Sequence, residues 1–326
     1  MARVFSGIQP SGDLHLGNYL GALRHFTLDQ YEYDCVFCIV DLHALTVPQD
    51  PEALARRTLE AAQAHLAAGL DPSVCTLFVQ SHVHEHAELS WLMECTASVG
   101  ELRRMTQFKE KSTDQEFVSG ALFTYPALMA ADILLYASDR VPVGNDQRQH
   151  LELTRDLAER FNHRFGATFV VPAAAVPRVG ARIMDLQRPT DKMSKSATSP
   201  QGTVGMLEDP ASIARKIRRA VTDAEVEVRY DPEAKPGVSN LLAILGAATG
   251  EDPVELAGRY HRYGPLKADC ADAVVALLEP IQARYAELAG DPAGTAAVLA
   301  EGAAKARAVA APMLEKARQA VGLLPR

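Results

Sequence analysis

The first half of the chain alternates short apolar runs with longer segments whose apolar residues recur at helical spacing. The apolar runs lie at 3–8, 35–45, 75–81 and 140–144. The helical patterns lie at 18–30, 51–70, 121–137 and 150–166. This alternation predicts βαβ units and a parallel sheet, because neighbouring parallel strands need a helical crossover between them.

The second half has a different pattern. From about residue 208 onward nearly every segment has helical periodicity, and the last is rich in Ala, a strong helix former. A stretch rich in Ser, Thr, Pro and Gly at 188–203 separates the two patterns and is typical of a mobile loop. We therefore predict an α/β fold with two domains. The first is a Rossmann-like parallel sheet over 1–188, and the second is helical over 189–326, with a tail at 305–326 able to pack back on the first.

Composition excludes several classes of protein. Apolar residues make up 48% of the 326 residues, which is enough for a substantial core and too many for a disordered chain. The sequence shows neither an apolar stretch of about 18 residues nor the apolar run of a secretory signal. An odd number of Cys, five, favours a reducing cytoplasm over a disulfide framework. The net charge of −8 argues only weakly against nucleic-acid binding, since a local basic patch would suffice.

The segment 6–18, Ser-Gly-Ile-Gln-Pro-Ser-Gly-Asp-Leu-His-Leu-Gly-Asn, lies where the first predicted strand gives way to the first helix. Glycine lets a backbone approach a ligand closely, and a helix N-terminus offers unpaired N–H groups to a phosphate. The same residues are compatible with an ordinary glycine-rich turn, so this segment alone leaves both interpretations open.

The segment 192–196, Lys-Met-Ser-Lys-Ser, is a more specific signal. Two ammonium groups three residues apart, with hydroxyls beside them, can grip a polyphosphate and release it when the loop moves. A solvated basic loop is the alternative interpretation. We treat this segment as a candidate phosphate-binding element.

These two segments, in this order, resemble the signature sequences of the class I aminoacyl-tRNA synthetases. Four further segments resemble the bacterial tryptophanyl-tRNA synthetases: MTQFKEK (105–111), LMAADILLY (128–136), VPVGNDQRQHLELTRDLAERFN (141–162) and GARIMD (180–185). The resemblance runs from residue 3 to the C-terminus and therefore covers both predicted domains.

The resemblance implies that the chain activates an amino acid with ATP, releases pyrophosphate and then esterifies the amino acid to tRNA. Such chemistry needs no covalent enzyme intermediate, so the protein acts by positioning and charge stabilisation. Mg²⁺ is expected to arrive with ATP, held mostly by phosphates and water, with no tightly bound protein metal. The lysines implied to neutralise the leaving pyrophosphate are Lys111, Lys192 and Lys195. The residues implied to bind ATP are Gln9, Pro10, Ser11, Gly17, Asn18, Gly144, Asn145, Asp146, Ile183, Lys192, Met193, Ser194, Lys195 and Ser196.

The resemblance also implies an amino-acid pocket in which Asp132 accepts the indole N–H of tryptophan. The segment 128–136 is apolar on nearly every side, so a carboxylate buried there needs a hydrogen-bonding partner. The i, i+3 spacing places Met129 on the same helix face as Asp132. The residues implied to bind tryptophan are Asp132, Phe5, Gln9, His43, Tyr125, Met129, Val143 and Gln147.

One position departs from the family pattern. Asn145 stands where Glu is the commoner residue, and this change keeps hydrogen-bonding capacity while it removes a charge near the nucleotide. We expect at most a modest change in the affinity for ATP or Mg²⁺.

The resemblance implies a cytoplasmic homodimer that binds L-tryptophan, ATP and tRNA(Trp), with no membrane association. Two alternatives stay open at this point: a tyrosyl-tRNA synthetase, which shares both signatures, and a paralogue that binds without ligase activity. Asp132 and the GIQPSG sequence at 7–12 favour tryptophan. The lysines expected to hold pyrophosphate argue against a binding paralogue.

The histidine-rich segment 82–86 (HVHEH) resembles a possible metal site. We interpret it as a surface loop instead, since no Cys or further carboxylate completes an obvious ligand set.

Overall fold

The structure is a computed structural model, and it describes residues 1–10, 14–112, 118–142, 144, 147–175, 182–194 and 199–325. For residues 110–112 it describes the backbone only.

Parallel strands form one sheet, which confirms the predicted α/β class with a Rossmann-like sheet. The strands are β1 (Arg3–Ile8), β2 (Asp34–Ile39), β3 (Thr76–Val79), β4 (Arg140–Pro142) and β5 (Ala173–Ala175). Their spatial order is β3-β2-β1-β4-β5, and every pairing is parallel. The order therefore reverses between β1 and β4. An open α/β sheet forms a ligand crevice at such a point, outside the carboxyl ends of its strands.

Helices fill the connections between the strands. They are α1 (Leu16–Asn18), α2 (Arg24–Asp29), α3 (Asp41–Ala44), α4 (Pro51–Ala67), α5 (Glu85–Thr96), α6 (Val99–Arg104), α7 (Thr106–Ser112), α8 (Gly120–Leu134) and α9 (Arg148–Phe165). A π-helical turn, Tyr19–Leu23, joins α1 to α2. The ends of two helices follow from local sequence: Asp50 caps α4 ahead of a proline, and α9 ends at Gly166, where φ is +94°.

One predicted strand is too long. The apolar run 35–45 forms a strand only as far as Ile39, and Asp41–Ala44 forms α3 instead. Periodicity alone does not separate a short buried strand from a helical turn, because both give a continuous apolar run. The difference matters for function, since α3 carries His43 to the carboxyl edge of the sheet.

Apolar clusters cover both faces of the sheet. Cys35 and Phe37 of β2 belong to the cluster beneath α4, whereas Val36 and Cys38 belong to the cluster beneath α5, α8 and α9. Successive side chains of a strand point to opposite faces, so a strand covered on both sides has no polar alternation. This double burial explains why the strands appear in the sequence as continuous apolar runs.

The second half of the described chain is helical, as its periodicity predicts. Its helices are α10 (Pro210–Arg218), α11 (Pro236–Thr249), α12 (Pro253–Ala257), α13 (Tyr263–Gly290) and α14 (Pro292–Ala320). Their core contains Ile213, Leu241 and Val274, and it also takes in Leu16 and Leu20 from the first helical segment of the chain. The N-terminal signature is therefore packed against the helical half. None of the helices in the described ranges is long and apolar enough to cross a membrane.

Helix α14 returns to the sheet and packs along the edge strand β3. Leu299 lies in the apolar cluster on one face of the sheet, and Ala303 and Ala306 lie in the cluster on the other face. Gly302 faces the edge itself, where a Cβ would overlap the carbonyl oxygen of Leu77. Small residues on this side let the helix backbone approach the strand closely, and this accounts for part of the Ala-rich sequence.

Candidate active site

A cavity of about 420 Å³ opens at the carboxyl ends of β1, β2 and β4, where the strand order reverses. Its walls come from the strands, from α3 and from α8. The residues that line it are Phe5, Ser6, Gly7, Gln9, Phe26, Val40, His43, Thr46, Gln107, Leu122, Tyr125, Met129, Asp132, Ile133, Val141, Pro142, Gly144 and Gln147. Apolar walls with a few polar groups are typical of a site for a small molecule.

Asp132 is the carboxylate of this cavity. Its side chain is buried, and hydrogen bonds reach both of its oxygens. Gln80 donates from Nε2 to Oδ1 over 2.7 Å, and Nδ1 of His86 lies 2.6 Å from the same oxygen. Nε2 of His43 lies 2.8 Å from Oδ2. These partners follow the ends of β2 and β3, so neighbouring strands bring them to one carboxylate on α8.

The surroundings of Asp132 keep its carboxyl group ionised. Burial by itself raises the pKa of a carboxyl, because it removes water from the charged form. Here burial is outweighed by the electrostatic interaction with His43 and by the hydrogen bonds of His43 and His86, which hold the pKa of Asp132 well below its usual range. A carboxylate offers about four lone-pair positions, and the three described partners occupy three of them. Within the described ranges, one acceptor position remains on Oδ2 for the N–H of a ligand.

His86 links the Asp132 carboxylate to a buried tyrosine. Its Nε2 lies 2.7 Å from the hydroxyl of Tyr136, and both side chains are fully buried. When Nδ1–H donates to the carboxylate, Nε2 accepts the tyrosine O–H, and each polar group then has a partner. Phe5 stacks on the Tyr136 ring with centroids 5.6 Å apart, so this buried pair also supports the wall of the cavity.

The prediction that segment 82–86 is a surface loop is wrong for His86. This residue lies in the first turn of α5 and faces the core, whereas His82 and His84 of the same segment are exposed. The signal was present in the sequence: Val83, His86, Leu89 and Met93 recur at helical spacing, and all four are buried. A histidine within an apolar helical stripe needs a buried partner, and Asp132 is that partner.

Tyr125 lies on α8 and lines the cavity. Its hydroxyl lies 2.5 Å from Nε2 of His150 and 3.1 Å from Oε1 of Gln107. Burial raises the pKa of Tyr125 to about 12, so the hydroxyl stays protonated at neutral pH. Gln107 and His150, which the sequence did not single out, therefore fix a neutral hydroxyl beside the cavity.

The first signature forms a capped helix start. Asn18 N–H donates to Nδ1 of His15 over 3.3 Å, and His15 N–H donates to Oδ1 of Asn18 over 3.1 Å. This reciprocal capping satisfies two backbone donors at the start of α1. A Cβ at Gly17 would lie 3.1 Å from the His15 ring and 3.5 Å from Cβ of Met193. Glycine therefore lets the first signature contact the second.

The chain ahead of the second signature folds back on itself. Met184 and Lys192 form an antiparallel bridge, and Met193 N–H donates to the carbonyl of Ile183 over 3.1 Å. The side chains of Ile183 and Met193 are buried in the helical core, so only their backbones are available to a ligand. The side chain of Lys192 is exposed.

The structure brings most of the predicted amino-acid site together in the cavity, and the predicted ATP residues Gln9 and Gly144 line it as well. Predicted residues that line the cavity are Phe5, Gln9, His43, Tyr125, Met129, Asp132, Gly144 and Gln147. Predicted ATP residues grouped around the Gly17–Met193 contact are Gly17, Asn18, Ile183, Lys192, Met193 and Ser194, and Pro10 is buried after β1. Outside the described residues lie Ser11, Val143, Asn145, Asp146, Lys195, Ser196 and the side chain of Lys111.

Known proteins of one family are similar to this chain in sequence and in fold. Residues 1–279 match the family model of tRNA synthetases class I (W and Y). The tryptophan–tRNA ligase of Caldanaerobacter subterraneus subsp. tengcongensis is 55% identical over 328 residues, which cover 100% of both chains. A crystal structure of tryptophanyl-tRNA synthetase from Mycoplasma pneumoniae superposes with a TM-score of 0.89 at 38% identity, covering 99% of this chain and 98% of that one. The enzyme of Campylobacter jejuni, solved with ADP and tryptophan, gives a TM-score of 0.85 at 35% identity and covers 98% of this chain and 100% of its own. The chain therefore belongs to the class I tRNA synthetases of the tryptophan and tyrosine group.

Proposed function

We propose that the chain is a tryptophan–tRNA ligase, which forms tryptophanyl-adenylate and pyrophosphate from L-tryptophan and ATP and then transfers tryptophan to tRNA(Trp). The observation that carries this proposal is the acceptor position left on the buried Asp132 carboxylate. An indole N–H can only donate a hydrogen bond, and an ionised carboxylate can only accept one, so the two groups match. A phenol hydroxyl both donates and accepts, so tyrosine would leave part of its hydrogen-bonding capacity unmet there.

The polar groups around the cavity suit the rest of the amino acid. Gln9, Tyr125 and Gln147 lie on its lining, and we assign them to the ammonium and carboxylate of tryptophan. Phe5 and Met129 would contact the indole ring. A site built around a hydrogen bond discriminates strongly against analogues that lack the donor, because they leave a buried acceptor unpaired.

The two signatures would hold ATP. We assign the neutralisation of the leaving pyrophosphate to Lys111, Lys192 and Lys195, and the binding of the nucleotide to the residues around the Gly17–Met193 contact and to 144–146. The carboxylate of tryptophan attacks the α-phosphorus, the bond to the β-phosphate oxygen breaks, and pyrophosphate leaves. Mg²⁺ would enter as part of the ATP substrate, bound mostly by phosphates and water.

We propose a homodimer in the cytoplasm as the working form. Trp91 on α5 and Val99 on α6 are apolar side chains with 64% and 62% of their surface exposed, which is compatible with burial against a second copy. Sedimentation equilibrium measures the mass directly. A mass of one chain at micromolar concentration would contradict this part of the proposal.

The activation step is tested by exchange of labelled pyrophosphate into ATP, with tryptophan and tyrosine run side by side. Exchange with tryptophan alone supports the proposal, and charging of a tRNA(Trp) transcript then tests the second step. Exchange with tyrosine alone would overturn the assignment of the amino-acid pocket. No exchange with either amino acid, from folded protein with Mg²⁺ present, would overturn the ligase proposal and favour a binding paralogue.

A further inference from the structure

We propose that Asn240 is a positioning residue for the ATP side of the site, because its side chain clamps the backbone strand on which Lys192 is seated. This inference deepens the proposed function and rests on it. Asn240 lies on α11, outside both signatures and outside the cavity.

The clamp consists of two hydrogen bonds to a single residue. Met184 N–H donates to Oδ1 of Asn240 over 2.9 Å, and Nδ2 of Asn240 donates to the Met184 carbonyl over 2.9 Å. The side-chain amide therefore pairs with Met184 as a neighbouring strand would. Only an amide of this length has both the donor and the acceptor in place: Asp lacks the donor at neutral pH, and Gln is one methylene longer.

Burial of Asn240 raises the free-energy cost of breaking the two hydrogen bonds of the clamp. The side chain is 4% exposed and is followed in α11 by Leu241 and Leu242, both fully buried. A polar amide in such a place costs free energy unless it is hydrogen-bonded. Asn is also a weaker helix former than Ala or Leu, so local helix stability does not account for it.

The clamp reaches the second signature through the folded-back chain. Met184, held by Asn240, forms the antiparallel bridge to Lys192. Two backbone hydrogen bonds flank this bridge. Met193 N–H donates to the Ile183 carbonyl over 3.1 Å, and Asp185 N–H donates to the Asp191 carbonyl over 2.8 Å. A shift of Met184 therefore moves the backbone of Lys192 with it. The tryptophan cavity is built on other elements, namely β1, β4, α3 and α8.

This separation predicts a selective effect. Loss of the clamp weakens the binding of MgATP and leaves the binding of tryptophan nearly unchanged. A residue with a purely structural role would lower thermal stability and affect both ligands alike.

The chain contains a matched control in Asn162 on α9. Its Oδ1 accepts Phe169 N–H over 2.8 Å, and its Nδ2 donates to the Phe169 carbonyl over 2.8 Å, so it pairs with one residue of a loop as Asn240 pairs with Met184. Its Oδ1 also accepts Thr168 N–H over 2.8 Å. Asn162→Asp removes the same donor as Asn240→Asp. The two variants thus lose the same donor at different places in the fold.

The experiment measures the affinities for MgATP and for tryptophan by isothermal titration calorimetry, which does not depend on turnover. At pH 8 we expect Asn240→Asp to weaken MgATP binding by about 10-fold or more, and to change tryptophan binding by less than about twofold. Asn162→Asp should change neither by more than about twofold. Where Asn240→Asp does not fold, Asn240→Ser replaces it in the same comparison.

A series of pH values adds a second test, in which the affinity for MgATP is measured as a function of pH. A protonated carboxyl has the shape and the donor of the lost amide, and burial beside a carbonyl raises the pKa of such a group. The deficit of Asn240→Asp in MgATP binding, relative to the unmodified chain, should therefore shrink as the pH falls from 8 to 6.

Equal weakening of both ligands, or equal behaviour of the Asn240 and Asn162 variants, would overturn the inference. Absence of MgATP binding by the unmodified chain would overturn the inference and the proposed function together. Normal binding by every variant, with tryptophan-dependent exchange intact, would overturn the inference alone.

Discussion

The Asp132 carboxylate accepts hydrogen bonds from Gln80, His86 and His43, and it keeps one acceptor position toward the cavity. We expect Asp132→Asn to lower kcat/KM for tryptophan in pyrophosphate exchange by about 10- to 100-fold, because a hydrogen bond to a charged acceptor contributes about 1.5–3 kcal/mol. KM for ATP should stay within about twofold. Steady-state exchange kinetics with each substrate varied in turn measure both quantities.

A tryptophan analogue with sulfur in place of the indole N–H separates recognition from general damage. The unmodified chain should strongly prefer tryptophan over this analogue, and Asp132→Asn should lose most of that preference. The control is Asp223→Asn, since Asp223 also accepts hydrogen bonds, from the buried Lys235 and the half-buried Tyr263, but lies in the helical half. A preference that survives in Asp132→Asn would rule out the assigned contact.

The cavity residues that could be predicted from the sequence are those placed by helical spacing or implied by the family resemblance. Met129 and Asp132 share one face of α8, and the helical spacing was enough to place them together. Gln80, His86 and Gln107 were not foreseen, because they meet Asp132 or Tyr125 only after separate strands and helices have packed. The rule that strand ends converge at one sheet edge could have singled out Gln80, which directly follows β3.

Among the elements, α6 begins with a capping box whose glutamate is also paired with a cation. Glu101 accepts from the backbone and hydroxyl of Ser98 and pairs with Arg160 at 2.5 Å. The bonds from Arg160, together with those from Ser98, outweigh burial and lower the pKa of Glu101 to about 2, from an ordinary value of 4.5. A carboxyl with a lowered folded-state pKa stabilises the fold fully above its unfolded-state pKa, and the contribution is lost as the pH falls towards 2.

We therefore expect Glu101→Gln to lower the free energy of unfolding by about 1 kcal/mol at neutral pH. The difference from the unmodified chain should be constant above about pH 5 and should close between pH 4.5 and 2, the window between the two pKa values. Urea unfolding at a series of pH values measures it. The control is Glu159→Gln, which removes the charge of a side chain that is 59% exposed. It should change the free energy of unfolding little at any pH. A difference that widens in acid would contradict the assigned pairing.

Helix α14 depends on the absence of a side chain at one position. Alanine is the better helix former, yet Gly302→Ala should destabilise the protein by about 1–3 kcal/mol, because the new methyl overlaps the Leu77 carbonyl of β3. Gly290→Ala at the end of α13 adds the same methyl where no atom beyond the adjoining backbone lies within 4 Å, and it should be neutral or slightly stabilising. Thermal unfolding of the two variants makes the comparison. A loss of stability shared by both would argue against the close contact.

The sheet was predictable because both of its faces are covered, which turns each strand into an apolar run that contrasts with the amphipathic helices between. The extent of α3 could not be predicted, because a buried helical turn and a buried strand have the same composition over a few residues. The small-residue face of α14 was visible as an Ala-rich pattern, but its target, the edge of β3, is fixed only by a contact between distant parts of the chain.

At the scale of the whole molecule, the two halves share packing surfaces. Leu16 and Leu20 from the first helical segment lie in the helical core, and Gln63 of α4 donates to the Leu288 carbonyl of α13 over 3.1 Å. We expect calorimetry to show a single unfolding transition. Leu242→Ala, in the helical core, should cost about 2–5 kcal/mol and shift that one transition to lower temperature. Two resolved transitions, with only one of them moved by the substitution, would show that the halves unfold independently.

The position of α14 on the edge of β3 also has a consequence for biosynthesis. The chain leaves the ribosome N-terminus first, at about 5–20 residues per second, so the strand edge at Leu77 emerges about 10–45 s before the residues that cover it. During that interval the nascent sheet presents an unpaired strand edge, the kind of surface through which chains associate. A premature stop codon between α13 and α14 would therefore yield a product prone to aggregate rather than a shortened enzyme. The nascent chain is thus expected to need shielding until α14 has been synthesised.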